Sequence, residues 1–194
     1  KLFDLHCDSL YRGYTENQPL GENRFHLDLK RGKRLDRWSQ CFAVWIPDEL
    51  RGKAAMALFD GCCEKFRREL APYRSETFCS GSDSRRRRGI GRKACQSGKA
   101  RGPRRKMMTL TDGENELGGG ADTALGAYPL LDGKHERDGE ALHRADVSHA
   151  SDALFYDVAE IAEKPIVASH SNARAVCPIA KPYRPAFQIL RDKG

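Results

Sequence analysis

Three histidines stand where short apolar runs stop. His6 lies in Leu2-Phe3-Asp4-Leu5-His6-Cys7-Asp8, His149 follows Asp146-Val147-Ser148, and His170 follows Ile166-Val167-Ala168-Ser169. Imidazole nitrogens and carboxylate oxygens are the donors that zinc-like divalent cations take. In an extended backbone, residues two apart point to the same side, so His6 and Asp8 can both reach a cation just beyond a strand end. His149 and His170 are 21 residues apart, the length of one helix plus two short loops. That spacing puts both at the carboxyl ends of successive parallel strands. In α/β barrels and open sheets, ligands bind at that face. A lone His-x-Asp is a weak signal, and a lone histidine is more often structural. The recurrence at equivalent strand ends makes a metal site on an α/β scaffold the leading reading. His135 and His143, scattered in a polar stretch, read as surface histidines.

The elements that must position these residues follow a strand–helix rhythm. The opening run reads as a strand through Asp8, and Tyr11–Arg34 as a long polar loop with one short helix at most. Cys41-Phe42-Ala43-Val44-Trp45-Ile46 is continuously apolar and stopped by Pro47, the pattern of a strand buried on both faces. From Glu49 to Leu70, Ala55, Leu58, Phe59, Cys62, Phe66 and Leu70 recur at helical spacing, and Pro72 ends the run. Met107–Thr111 reads as another strand. The glycine run Gly118-Gly119-Gly120 lacks the Gly-Lys-Ser/Thr ending of a phosphate loop and reads as a strand-end loop. Leu154, Val158, Ile161 and Ala162 form a helical stripe over 153–162, with Ser151 or Asp152 as its N-cap. Lys164-Pro165 stops that helix, and Ile166-Val167-Ala168 is the next strand. Alternation of this kind belongs to a βα-repeat protein.

The 194 residues suit one domain or a piece of a larger one, with 39% hydrophobic and 31% charged residues. The formal charge of +7 is local. Between Ser80 and Lys106 eleven Lys/Arg face only Asp83, a segment of +10 that leaves −3 for the remainder. This segment cannot bury enough apolar surface to offset its ordering entropy, so 80–105 is expected to be a disordered or irregular insert. A nucleic-acid patch at 85–106 is the competing reading, weakened by the lack of interleaved aromatics for stacking. Seven cysteines, odd in number and without a C-x-x-C pair, argue against a disulfide framework and favour a reducing, cytoplasmic setting. No apolar run reaches the roughly 18–20 residues of a membrane span, and no signal peptide is visible.

Taken together, these pieces resemble the membrane dipeptidase (renal dipeptidase) family of zinc peptidases, particularly its bacterial members. The resemblance rests on Asp4–Asp8, on Phe42–Pro47, and on Met107–Asp122 with its Gly-Glu-Asn-Glu-Leu-Gly-Gly-Gly run. It continues through Asp146–Asp152 and Ile166–Arg174, and the last two segments are the specific ones. It implies an α/β fold, a partial (β/α)8 TIM barrel of the metal-dependent hydrolase type, in a single incomplete domain over 1–194. It also implies two zinc ions, one on His6 and Asp8 and the other on His149 and His170, and hydrolysis of the peptide bond of dipeptides. Two bridged cations supply a nucleophile at neutral pH, polarise the scissile carbonyl and steady the tetrahedral intermediate. No catalytic acid or base and no substrate contact is assigned, and the oligomeric state, a homodimer included, is left open.

The chain also departs from the family. Where members carry a bridging glutamate after the third strand, it reads Phe78-Cys79-Ser80-Gly81-Ser82-Asp83-Ser84 and then the arginine run. Leu131–Arg144 and Pro178–Pro185 do not match, although the match resumes at Gln188–Gly194. Intact motifs alternating with arginine-rich stretches suggest local reading-frame errors, and resequencing that found no compensating insertions and deletions would remove that idea. A full barrel needs roughly 250 residues, so the chain is expected to lack its last strands; without the bridging carboxylate it is expected to hold zinc weakly or partially. It starts at Lys1 inside a strand-like run, so a missing leader is also expected to be possible. An inactive remnant or a fragment without function are the blander alternatives. Salt separates the enzyme from the nucleic-acid reading: binding through about ten phosphates would weaken by several decades from low to moderate salt. A hydrolase reading expects no such titratable binding in an electrophoretic or fluorescence assay.

Overall fold

The computed structural model describes residues 2–47, 49–73, 78–82, 105–112, 118–120, 126, 145–162 and 165–171. Nearly all of the basic insert 80–105, along with Leu131–Arg144 and Pro178–Pro185, lies outside these residues. The described elements alternate as read from the sequence. They are β1 (Leu2–Asp4), α1 (Ser9–Thr15), α2 (Leu29–Gly32), β2 (Trp38–Trp45), α3 (Gly52–Leu70), a 3-10 turn at Ala71–Tyr73, β3 (Phe78–Ser82), β4 (Arg105–Thr109), β5 (Ala145–Asp146) and α4 (Asp152–Ile161). The chain forms two compact units, Lys1–Gly81 with Arg88–Lys106, and Ser82–Arg87 with Met107–Gly194. No helix among the described residues is long and apolar enough to cross a membrane.

In the first unit, β1 pairs parallel with β2 in the register Leu2↔Trp38, Phe3↔Ser39, Asp4↔Gln40. This pairing carries β2 three residues upstream of the apolar run, because partner hydrogen bonds, not side-chain polarity, define where a strand begins. Gln40 through Val44 are all buried, as expected for a strand covered on both faces. α3 lays Ala55, Cys62, Phe66 and Leu70 on that strand, with Phe42 and Phe66 edge to face at 5.8 Å.

Two corrections concern the segment read as loop. α1 and α2 both form there, and the first was hidden because its buried positions are only Ser9, Leu10 and Gly13, too few apolar residues for a periodic stripe. Contact with α3 stabilises it. Gly61 permits the approach, since a Cβ there would sit 2.3 Å from the Tyr14 hydroxyl oxygen. The second helix is held by Asp28, whose buried carboxylate accepts from the Arg31 backbone N–H at 2.8 Å, the Asn23 N–H at 3.2 Å and the Arg31 Nε at 2.9 Å.

The second unit pairs β4 and β5 in parallel, Met108↔Ala145 and Thr109↔Asp146. The strand expected over Ile166–Ala168 reduces to one parallel bridge, Asp146↔Val167. The Val147 N–H donates to the Val167 carbonyl and the Val167 N–H to the Ala145 carbonyl, both at 2.9 Å. Pro165, two residues upstream, has no N–H to extend that ladder. α4 starts where the sequence placed it. Ser151 is the N-cap, its hydroxyl accepting from the Leu154 N–H at 3.0 Å. Its apolar face packs Leu154, Phe155, Val158 and Ala159 against Leu110, Ala145, Val147 and Ile166.

The glycine run is packing, not a cradle. The Gly119 carbonyl accepts from the Ser151 N–H at 3.0 Å. A Cβ on Gly118 would lie 2.7 Å from both the Gly126 carbonyl and Leu154 Cδ1.

Asp28 gives a pH-dependent expectation. Burial by itself would raise its pKa, but the Arg31 side chain and the two backbone N–H groups outweigh it and hold the carboxyl at about 2 against an ordinary 3.8. A depressed carboxyl stabilises the fold fully above its unfolded value and loses that contribution as pH falls toward 2. Asp28→Ala should therefore cost about 1–2 kcal/mol near neutral pH. The difference from the unaltered chain in urea unfolding should shrink steadily below pH 4.

Candidate metal centre

The first pair of expected ligands sits just past β1. The strand has already ended at Asp4, whose carboxylate accepts the His6 N–H at 3.1 Å and turns the chain. Asp8 is the residue before α1, with φ −89° and ψ 4°, and its carbonyl accepts the Arg12 N–H. The same-side argument from an extended backbone is therefore corrected, since a turn into a helix makes the pair. The expected proximity nevertheless results, with His6 Nε2 at 3.4 Å from Asp8 Oδ1. Cys7 between them faces the core, and burial pushes its thiol up to about 12, so it stays protonated at neutral pH and is a poor nucleophile or ligand.

The second pair is built by β5, the Val167 bridge and two turns. His149 and His170 each stand three residues beyond the bridged pair Asp146↔Val167, which makes their positions equivalent. Their Nε2 atoms approach to 2.7 Å, with ring centroids 4.7 Å apart. The Thr111 hydroxyl donates to the His149 carbonyl at 3.0 Å and fixes that turn. His149 Nδ1 lies 3.3 Å from Asp112 Oδ1, both side chains about one-third exposed (34% and 35%). His170 Nδ1 lies 2.8 Å from Ser169 Oγ.

Behind the two histidines is a carboxylate to which the sequence reading gave no role. Asp146 is fully buried. Its Oδ1 accepts from the Ser148 N–H at 3.1 Å, the Ser148 hydroxyl at 2.6 Å and the Ser169 N–H at 3.0 Å. Its Oδ2 accepts from the Thr109 hydroxyl at 2.8 Å and the Ser169 hydroxyl at 2.5 Å. Burial raises its pKa, but the hydrogen bonds from Ser148, Ser169 and Thr109 outweigh it and hold the carboxyl below its ordinary value. Asp146, Ser148, Ser169, Thr109 and Asp112 were all missed. The available signal was the repeated Ser-His dipeptide at 148–149 and 169–170, with an aspartate inside an apolar run.

The donor chemistry suits zinc. Two nitrogen or oxygen ligands on one tetrahedral zinc are about 3.3 Å apart, given bonds near 2.0–2.1 Å. The His6–Asp8 separation matches that spacing, and the histidine pair would open by about half an ångström. The Nδ1 atoms of His149 and His170 face Asp112 and Ser169, which leaves both Nε2 atoms toward a common point. Among the described residues no group of three or more His, Cys, Asp or Glu forms a complete metal site. The two pairs belong to different units.

Comparison with known proteins points the same way. Residues 144–182 match the family model "Membrane dipeptidase (Peptidase family M19)". Over 50 residues the chain is 54% identical to a Klebsiella pneumoniae protein encoded in the pqqA 5′ region. Over 48 residues it is 47% identical to an Acinetobacter calcoaceticus protein in the PQQ-III 3′ region. These matches cover 25% and 24% of the chain and only 18% and 15% of the relatives. The fold is similar to that of a metallo peptidase from Rhodobacter sphaeroides solved with a phosphinate mimic of the dipeptide L-Ala-D-Ala. The TM-score is 0.79 at 18% identity, over 99% of this chain and 71% of that one. It is equally similar to the dipeptidase AC, a metallo peptidase of family M19, with TM-score 0.79 at 20% identity over 99% and 69%.

The buried carboxylate can be tested through its most distant donor. Thr109→Val keeps the shape and removes one hydrogen bond to a charged group, so it should cost about 1.5–3 kcal/mol in urea unfolding at neutral pH. A depressed carboxyl gives up its stabilisation as pH falls through its folded value. The penalty should therefore diminish in acid as Asp146 takes a proton.

Proposed function

We infer that this chain, a metallo-dipeptidase by its resemblance to the membrane dipeptidase family, derives from a zinc-dependent hydrolase that cleaves the peptide bond of dipeptides. Its scaffold is of the (β/α)8 barrel type, of which the chain carries part. The alternation of strands and helices, the parallel pairs β1–β2 and β4–β5 and the similarity in fold to two metallo peptidases support that reading. The observation that carries the function is the convergence of His149 and His170 through their Nε2 atoms, inside the stretch that matches the family model.

His149 and His170 would hold one ion, and His6 and Asp8 would hold the other. When bound, zinc supplies Lewis-acid polarisation of the scissile carbonyl and a nucleophile at neutral pH. The chain's own part is orientation. Asp112 lies against His149, Ser169 lies against His170, and the Thr111 hydroxyl anchors the turn that presents His149. The family resemblance expects a glutamate that Phe78–Ser84 does not provide, so partial occupancy and low turnover are expected. Cys7, Cys41 and Cys62 are free thiols, and burial pushes Cys62 up to about 12. They support a reducing, cytoplasmic setting.

Metal analysis of the purified chain is the direct test. The unaltered protein should carry zinc, at up to about two ions per chain, and lose it with any dialanine hydrolysis on dialysis against a chelator. His149→Ala should remove at least the ion shared with His170. Zinc-free protein after purification and zinc reconstitution would overturn the reading.

A further inference from the structure

We propose that Asp146 is a positioning residue that, through the Ser169 hydroxyl, fixes the ring tautomer of His170 so that its Nε2 lone pair is presented to a cation. This inference rests on the zinc reading above, and it follows from counting protons. Asp146 accepts five hydrogen bonds, so both of its oxygens act as acceptors and neither needs a proton.

The Ser148 hydroxyl has one hydrogen, and at 2.6 Å it goes to Asp146 Oδ1. Ser148 Oγ then accepts the His170 N–H at 3.1 Å. The Ser169 hydroxyl has one hydrogen, and at 2.5 Å it goes to Asp146 Oδ2. The 3.2 Å approach of the two serine oxygens therefore has no proton left to share. With its hydrogen spent, Ser169 Oγ can only accept from His170 Nδ1, 2.8 Å away. Nδ1 must then carry the ring proton, and Nε2 of the neutral ring is bare.

His149 reaches the same state by a shorter route, because the Asp112 carboxylate beside its Nδ1 can only accept. Two bare Nε2 atoms 2.7 Å apart repel each other unless a positive charge lies between them. The pair is thus built to receive a cation, and one buried carboxylate fixes both the turn and the tautomer of His170. A backbone carbonyl or water can hold a ligand histidine in other sites. Here the hold is relayed through a serine, which makes it separable by mutation.

The experiment reads the tautomer directly, by long-range proton–nitrogen correlation on the metal-free full chain at about pH 8, where histidine is neutral. The unaltered protein should show His170 protonated at Nδ1. Ser169→Ala should move His170 toward the Nε2-protonated form and weaken zinc binding roughly 10–100-fold in chelator competition. Ser169→Thr, which keeps a hydroxyl, should restore both. Ser148→Ala removes the His170 backbone anchor and one donor to Asp146 but no partner of the His170 ring, so it should leave the tautomer unchanged, which guards against a merely structural effect. An Nε2-protonated His170 in the unaltered protein, or an Nδ1-protonated one in Ser169→Ala, would overturn the relay. Failure of the unaltered protein to bind zinc overturns the dipeptidase reading instead, and the tautomer result still decides the relay.

Discussion

The second unit depends on one dry carboxylate. Removing an ion from water costs several kcal/mol unless its oxygens are fully engaged, and Asp146 meets that demand with donors from three separate stretches. Thr109 comes from β4, Ser148 from the turn after β5, and Ser169 from the turn after the Val167 bridge. Because each donor is needed, their separations are fixed. The backbone bonds of Leu110 and Val147 run through the same few residues. The two turns that carry histidines are therefore tied to a common point beneath them, and the imidazoles meet above it.

The first unit solves a comparable problem with an ion pair. Lys65 is buried on α3, and its ammonium donates to Glu69 Oε1 at 2.6 Å, while Glu69 Oε2 accepts the Leu20 N–H at 2.6 Å. A buried pair of this kind adds little net stability by itself, because desolvation offsets its attraction. Its geometric effect is larger, since it stitches the loop before α2 to the long helix. Asp28 instead ties that loop to α2, through Asn23 and Arg31. Polar residues that read as solvated loop are thereby the fasteners of a packed layer.

The described residues form their two cores through local packing. α1, β2 and α3 contribute to one core, and Leu110, Ala145, Val147 and α4 to another. Phe78–Ser84 contains no glutamate. Packing draws on many residues and a ligand set on few, so the two can change independently.

Much was legible before any coordinates. The βα rhythm, the twice-buried run Cys41–Ile46, the helix ending before Pro72 and the Ser151 cap all follow from local physics: apolar periodicity, the missing N–H of proline, and a hydroxyl at a helix start. The nearness of His6 to Asp8 and of His149 to His170 was also legible, since residue type and strand-end position suffice to pair them. Tertiary structure decided the rest. It made α1 from a stretch with too few apolar residues to show a stripe, moved the start of β2 upstream through pairing with β1, and reduced Ile166–Ala168 to a single bridge. It also turned His6 and Asp8 toward each other by a bend, not by an extended strand. Above all it assigned Asp146 its role. A carboxylate's partners lie 23 and 37 residues away along the chain, and no local pattern encodes which hydroxyls will enclose it.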